Sequence, residues 1–168
     1  MKTDKAGALL RELHDAVTDL AKTCRSVAER QAADRGTYYP AHTVAAQCDR
    51  HAARIRAWGE LFEVRLHAPA AAPEPLSAVR DAVRHTSAAF RGDRPEAGVA
   101  LLHDLCHLHE KAQRVHIHWV MLGQVARALR DRALLAEAAA LHDETRTQIK
   151  WITTRIREAA PQAVAVAD

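Results

Sequence analysis

Apolar residues recur at alternating steps of three and four along several long segments of this chain, the spacing of one face of an α-helix. In the first segment the series is Leu10, Leu13, Val17, Leu20, Cys24 and Val27. In the second it is Val44, Cys48, His51, Ile55, Trp58 and Phe62. A β-strand would require alternation at every second residue, so this periodicity predicts an all-α fold. Composition agrees, because aromatic residues make up only 4% of the sequence and glycine and proline number six each.

The helix boundaries follow from caps and breakers. We predict long helices over residues 4–34, 40–67, 93–130 and 131–159, with a shorter helix over 76–91. Thr3 is the expected N-cap of the first helix, Gly36 follows its end, and the sequence GTYYP is expected to turn into the second. Residues 68–75, APAAAPEP, are expected to form a linker, and residues 160–168 a flexible tail that begins next to Pro161.

These elements predict one domain over residues 1–168: an antiparallel four-helix bundle with a short extra helix between the second and third long helices. The net charge is only +3 and acidic residues are interleaved with the arginines, whereas nucleic-acid binders concentrate basic residues on one face. The three cysteines lie far apart, which is typical of free thiols in a reducing compartment. No apolar signal core or membrane-length apolar run is present. We therefore expect a cytoplasmic protein that binds neither nucleic acid nor membrane.

A segment rich in histidine, residues 101–120, holds five of the eleven histidines and one cysteine. Two Cys-x-x-His pairs occur in the chain, Cys48 with His51 and Cys106 with His109. Each pair places sulfur and imidazole on one helix face, so two facing pairs would form a tetrahedral site for zinc. The first pair lies on the predicted inner face, whereas leucines take the inward positions beside the second. The alternative interpretation is a buried thiol beside a hydrogen-bonded histidine.

Further candidate ligands lie in the same helix and in the last one. His103 and His107 are four residues apart, with Glu110 one turn later, as in half of a zinc or hemerythrin-type site. His142 lies beside the apolar series of the last helix. The preferred interpretation of the first three residues is a polar, solvated helix face. These residues leave open a metal- or cofactor-binding function, with zinc or another transition metal.

Catalytic motifs are sparse. A carboxylate-bridged di-iron bundle draws a Glu-x-x-His motif from two of its helices, and no such motif occurs in the chain. The nearest relative is Asp104-x-x-His107, in which the carboxylate is one methylene shorter. No nucleophile elbow or glycine-rich phosphate loop is present either. We therefore expect a protein without catalytic activity.

Three stretches carry a family resemblance. They are LHDAVTDL at 13–20, similar to a first-helix motif L-Y-D-A-E-x-Q-L; QCDRHAARI at 47–55, similar to a second-helix motif E-T-x-x-H/Q-V-x-R-L; and ARALRDRALLAEAAALHDET at 126–145, similar to the turn between the last two long helices. On these residues the chain resembles the ferritin-like superfamily, in particular its small stress-associated bundle proteins. The ending QIKWITTRIREAAPQA also resembles uncharacterised bundle proteins of actinomycetes. The resemblance implies a ferritin-like four-helix bundle.

The chain departs from that family at its metal-binding positions. The matching positions are Val17 in the first helix, Gln47 in the second, Val115 in the third long helix, and Asp143 or Glu144 in the last. His51, the second-helix histidine, is retained. Two valines in place of carboxylates leave too little negative charge for two iron ions. The resemblance therefore implies the scaffold with its di-iron ligands lost.

Excess apolar character in the third long helix suggests what such a scaffold could do. Between positions 117 and 129 its apolar residues extend around more than one face: Ile117, Trp119, Val120, Met121, Leu122, Val125 and Leu129. A helix that is apolar on several sides is buried on several sides. We expect self-association, as a homodimer, or binding of a protein partner, with Trp151 as a further contact residue. The alternative is that the short helix 76–91 covers this surface.

Overall fold

The computed structural model describes residues 2–66 and 95–165, which form four α-helices. They are α1 (Lys2–Arg30), α2 (Arg35–Leu61), α3 (Pro95–Leu129) and α4 (Arg132–Ala165). Within those two ranges there is no β-strand, so the all-α prediction is confirmed. The predicted linker 68–75 and short helix 76–91 lie outside the described residues, as do residues 166–168 of the predicted tail.

The helices pack as neighbours around a square. The α3–α4 and α1–α2 pairs share the most extensive contacts, α1 and α3 share fewer, and α2 and α4 share the fewest. Over the two described ranges, the backbones of α1 and α4 do not touch, and neither do those of α2 and α3. The order around the square is therefore α1, α2, α4, α3. This arrangement fits a helical bundle, with its core between the four elements.

The start of α2 differs from the sequence-based prediction. The helix begins at Arg35, so the GTYYP segment is helical and the preceding turn lies at residues 31–34. Asp34 is the N-cap: its carboxylate accepts hydrogen bonds from the Gly36 backbone N at 3.2 Å and from the Thr37 hydroxyl at 2.6 Å. Pro40 lies inside the helix. Its missing N–H removes one helical bond, which this capped first segment of the helix tolerates.

The turn between α3 and α4 is short and capped. Arg130 adopts a positive φ of 58° just after the end of α3. Asp131 then caps α4, because its carboxylate accepts a hydrogen bond from the Leu134 backbone N at 2.9 Å. The two helices therefore end and begin within one residue of the predicted boundary at 130 and 131.

The C-terminal end of α4 extends further than predicted. The predicted end at residue 159 relied on Pro161, but the helix continues through that proline to Ala165. The extension packs against α3, where a Cβ placed on Gly98 would lie 3.1 Å from the Cα of Ala163. Glycine at this position therefore lets the two backbones approach closely.

The core contains the residues that the periodicity assigns to it. Cys24, Cys48 and His51 are all buried, as predicted. The indole rings of Trp58 and Trp119 meet edge to face across the bundle, with 6.2 Å between their centroids. Aromatic side chains of this size fill the space between helices that do not touch through their backbones.

Candidate functional site: a polar layer inside the bundle

The most distinctive interior group is the imidazole of His51, which is completely buried. Its Nε2 lies 3.0 Å from Oε2 of Glu144 on α4. The Glu144 side chain is 41% exposed and also lies 3.6 Å from the guanidinium of Arg50. His51 lies on the inner face of α2, so its ring reaches the neighbouring helix α4.

Gln47 lies one turn before His51 on α2, but it is not the hydrogen-bond partner of that histidine. The amide oxygen of Gln47 instead accepts a hydrogen bond from Nε2 of Gln148, at 2.9 Å. Residues one turn apart share a helix face and both point towards α4, so each finds its own partner there. Sequence spacing places both side chains on one face but does not say what faces them.

Burial governs the protonation of His51. Burial lowers the pKa of this imidazole, the neighbouring Glu144 carboxylate raises it, and the net shift is downwards. The ring is therefore neutral near pH 7, with Nε2–H donating to the carboxylate. In this arrangement Nδ1 is a buried acceptor with no hydrogen-bond partner among the residues that the structure describes.

The indole of Trp119 continues these interactions from α3. Its Nε1 donates to the hydroxyl of Thr145 at 3.1 Å, and that hydroxyl donates to the backbone oxygen of Leu141 at 3.2 Å. The rings of Trp119 and His51 meet edge to face, with centroids 5.8 Å apart. The buried and half-buried groups that form this polar layer are Gln47, His51, Trp119, Glu144, Thr145 and Gln148.

The two buried thiols are poor metal ligands. Burial raises the pKa of Cys24 to about 12, and burial followed by the nearby Cys24 raises the pKa of Cys48 still further. Metals bind the thiolate form, so desolvation works against coordination at both positions. Cys106 is the exposed thiol.

The predicted metal ligands are spread over different environments. Cys48 and His51 lie in the interior; His103, Cys106, His107 and Glu110 are exposed on α3; His109 and His142 are half-buried. The two Cys-x-x-His pairs are therefore not brought together. Within residues 2–66 and 95–165 no group of three or more His, Cys, Asp or Glu side chains is arranged to hold a metal ion.

Asp104, the nearest relative of a di-iron carboxylate, faces α1 rather than a metal site. It is buried and accepts hydrogen bonds from Nη2 of Arg30 at 2.7 Å and from Nε2 of Gln31 at 2.8 Å. Its motif partner His107 is exposed. The carboxylate therefore ties the end of α1 to α3.

A second histidine contact links α3 to α4. Nε2 of His142 lies 2.7 Å from Nδ1 of His116. The two residues are 26 positions apart, so no short motif signals their proximity. His142 was singled out from the sequence, but His116 was not.

The outer surface of α3 carries an apolar stripe. Ile117 is 53% exposed, Val120 40% and Met121 38%, whereas Trp119 and Leu122 on the same turns are buried in the core. The apolar character noted in the sequence thus divides into an inner face and an exposed face. We call Ile117, Val120 and Met121 the α3 outer stripe. Trp151 is half-buried against the core.

Comparison with known proteins adds no assignment. No protein-family model, no curated protein and no solved structure matches the chain. Among the described helices, none is long and apolar enough to cross a membrane. What the chain does is inferred from its surfaces and its buried polar groups.

Proposed function

We propose that this protein is a non-enzymatic helical bundle, of antiparallel ferritin-like architecture, that acts by pairing with a second copy of itself. The observation that carries this proposal is the α3 outer stripe of Ile117, Val120 and Met121. Exposed apolar side chains at steps of three and four form a continuous strip on a helix, and such strips are typical of association surfaces.

The interhelical pairs support the antiparallel arrangement. Between α2 and α4 and between α1 and α3, the residue number rises along one helix as it falls along the other. The pairs are Gln47 with Gln148 and Trp58 with Glu137 between α2 and α4, and Asp19 with Lys111 and Arg30 with Asp104 between α1 and α3. A long connection between the second and third helices, residues 62–94, also suits the single crossover of ferritin-like bundles.

Two core positions support a scaffold role. They are the positions where the ferritin-like family carries the metal-binding carboxylates of its first and third long helices. Val17 and Val115 are both fully buried in the core. Burying these side chains contributes roughly 1.5–3 kcal/mol each to stability. These positions therefore suit a core that holds the fold together, and the outer surface is the better place to look for function.

Charge complementarity around the stripe fits a second copy of the same chain. Glu110 and Arg127 are both exposed on α3, and they lie at equal distances in sequence from the midpoint between Ile117 and Val120. If two α3 helices cross antiparallel about a twofold axis at that midpoint, Ile117 meets Val120 of the other copy. Glu110 then faces Arg127. A twofold interface requires this kind of self-complementary surface.

The size of the stripe sets the expected affinity. Burying the exposed part of each of its three side chains contributes roughly 2 kcal/mol, so both copies together provide about 12 kcal/mol. Association costs about 4–15 kcal/mol in lost translational, rotational and side-chain freedom. At the low end of that cost the net gain is about 8 kcal/mol, which corresponds to a reversible dimer with a micromolar dissociation constant.

Sedimentation equilibrium at micromolar concentrations tests the proposal. We expect a monomer–dimer equilibrium that Met121→Asp shifts to monomer, because a buried charge at the interface is unpaired. The matched control is Tyr39→Asp, which adds the same charge at another exposed position, on α2, and should leave the equilibrium unchanged. Wild-type protein that stays monomeric throughout this range would refute self-association and would favour residues 76–91 as the cover of the stripe.

A charge swap tests the proposed geometry. Glu110→Arg and Arg127→Glu should each weaken the dimer, because each places like charges opposite one another. The double variant restores opposite charges and should recover most of the lost affinity. Additive weakening in the double variant would rule out the antiparallel crossing at this midpoint.

A further inference from the structure

We propose that His116 and His142 form a two-imidazole binding site for a divalent transition-metal ion, zinc or copper, between α3 and α4. Both ligands belong to a single chain, so the site does not depend on self-association. It also differs from the two Cys-x-x-His pairs, which the fold keeps apart from each other. The imidazole pair brings two metal-ligating nitrogens together from two different helices.

The geometry of the two rings favours chelation. The Nδ1 of His116 and the Nε2 of His142 lie 2.7 Å apart, with ring centroids separated by 4.6 Å and planes inclined at 47°. Two nitrogens bound tetrahedrally to zinc at about 2.0–2.1 Å would lie about 3.3 Å apart. The two nitrogens therefore need to separate by about 0.6 Å to admit the ion. Both side chains are half-buried, so the ion would have access from solvent.

The lowered pKa of His142 suits a metal ligand. Burial, followed by the neighbouring His116 and Arg146, lowers the pKa of His142, and Asp143 opposes this effect. His142 is therefore neutral near pH 7. In the metal-free pair one facing nitrogen carries a hydrogen and donates to the other. When the ion binds, that proton is lost to solvent, and the other nitrogen of the same ring takes up a proton from solvent. Both facing nitrogens then direct a lone pair at the ion, and the net charge of the rings is unchanged.

The surroundings limit the site to two protein ligands. Asp143, the adjacent carboxylate on α4, is exposed and bound to Arg146 at 3.2 Å. No third His, Cys, Asp or Glu completes a ligand group within the described ranges. Water would fill the remaining coordination positions. We expect copper(II) to bind more tightly than zinc, because nitrogen sites follow that order of affinity.

The exposed pair His103 and His107 provides a matched control, because it likewise consists of two neighbouring histidines. Its two members lie one helical turn apart on the same helix, α3. Its side chains are solvated, whereas His116 and His142 are already held against each other by two packed helices. A pre-arranged pair loses less side-chain entropy on binding an ion. The proposed site should therefore bind more tightly than the exposed pair.

Calorimetric titration of the untagged full chain with zinc chloride and copper sulfate tests the site. We expect one high-affinity equivalent, weakened about tenfold or more by His116→Gln and by His142→Gln, since even the loss of an outer-shell partner costs a metal site about 10–100-fold. The double variant His103→Gln/His107→Gln should retain that equivalent. Circular dichroism of each variant establishes that it is folded.

Electron paramagnetic resonance of the copper(II)-loaded wild type gives a second readout that does not depend on any variant. Hyperfine coupling to two imidazole nitrogens is expected. Coupling to a single nitrogen would overturn the proposal. Two calorimetric results would also overturn it: unchanged metal affinity in folded His142→Gln, or loss of the high-affinity metal equivalent in the His103/His107 double variant. Absence of binding by the wild type would also overturn it and would leave the proposed dimer untouched.

Discussion

The Nε2 of His51 and the Oε2 of Glu144 lie 3.0 Å apart, so a fully buried side chain of α2 is bonded to a carboxylate that solvent reaches on α4. These two helices share the smallest packing contact in the bundle. Their other links are also polar, such as the hydrogen bond between Gln47 and Gln148. Hydrogen bonds are directional, so they fix how α2 is rotated and displaced relative to α4 where apolar packing is thin.

Replacing Glu144 tests this role. Glu144→Ala should destabilise the bundle by about 1–3 kcal/mol, because the buried Nε2–H of His51 loses its acceptor. Glu144→Gln should cost less, since the amide oxygen can still accept that hydrogen bond. Urea unfolding followed by circular dichroism measures both. Equal losses in the two variants would mean that charge, and not hydrogen bonding, links the helices.

The lowered pKa of His51 predicts how stability depends on pH. Its ordinary pKa is 6.5, and burial lowers the value in the folded protein. As the pH falls below about 6.5, the unfolded chain takes up a proton that the folded chain refuses, so the free energy of unfolding decreases. Above that pH neither state is protonated and the effect is absent.

Urea titrations between about pH 7.5 and pH 5 measure this decrease. His51→Gln should reduce the slope of stability against pH, whereas His103→Gln, a substitution at an exposed position, should leave it unchanged. His142 also has a lowered pKa, so some slope should remain in His51→Gln. A slope identical to that of the wild type in His51→Gln would contradict the prediction.

The limits of sequence-based prediction are clearest in α2. Periodicity alone predicts that Cys48 and His51 are buried, because core-facing positions repeat with the helical turn. The beginning of the helix was missed because Gly36 and Pro40 both resemble turn residues, whereas the capping carboxylate of Asp34 decides the boundary. The sequence therefore contains a helix-starting residue, Asp34, beside two residues that commonly end helices, Gly36 and Pro40. Only the folded geometry shows which of them determines the boundary.

Contacts between helices are harder to predict than faces within one helix. The sequence does not indicate that His116 meets His142 across the turn between α3 and α4. That pairing depends on the relative displacement of two helices along their axes, and apolar periodicity is nearly insensitive to a displacement of one turn.

Thr145 provides a test of buried polar contacts. Thr145→Val is close to isosteric but removes the acceptor of the Trp119 indole, so it should cost about 1–3 kcal/mol for the unpaired N–H. Thr147→Val is the matched control on the same helix, where the hydroxyl is exposed, and should change stability by less than about 0.5 kcal/mol. Thermal unfolding of both variants is the measurement. A Thr145→Val protein as stable as the control would show that the indole finds another partner.

Thiol chemistry should distinguish the three cysteines. Cys106 is exposed, whereas Cys24 and Cys48 are buried and their pKa values are raised by burial. Because the thiolate is the reactive form, a disulfide reagent should modify one thiol rapidly in the folded protein and all three after unfolding. Cys106→Ser should abolish the rapid phase. Rapid modification in that variant would mean that the α1–α2 side of the core opens readily.

Asp34 joins the beginning of α2 to the C-terminal part of α4. Its Oδ2 lies 2.8 Å from Nη2 of Arg155, and its carboxylate also caps the helix through the Gly36 backbone N. Asp34→Ala should remove both contacts and cost about 2 kcal/mol, of which the cap accounts for about 1 kcal/mol. Asp34→Asn retains a capping oxygen, so its loss should be about half as large and should diminish in high salt. Chemical denaturation at low and high salt measures the stability of both variants. If Asp34→Asn is as unstable as Asp34→Ala at either salt concentration, the ion pair with Arg155, and not the cap, determines where α2 begins.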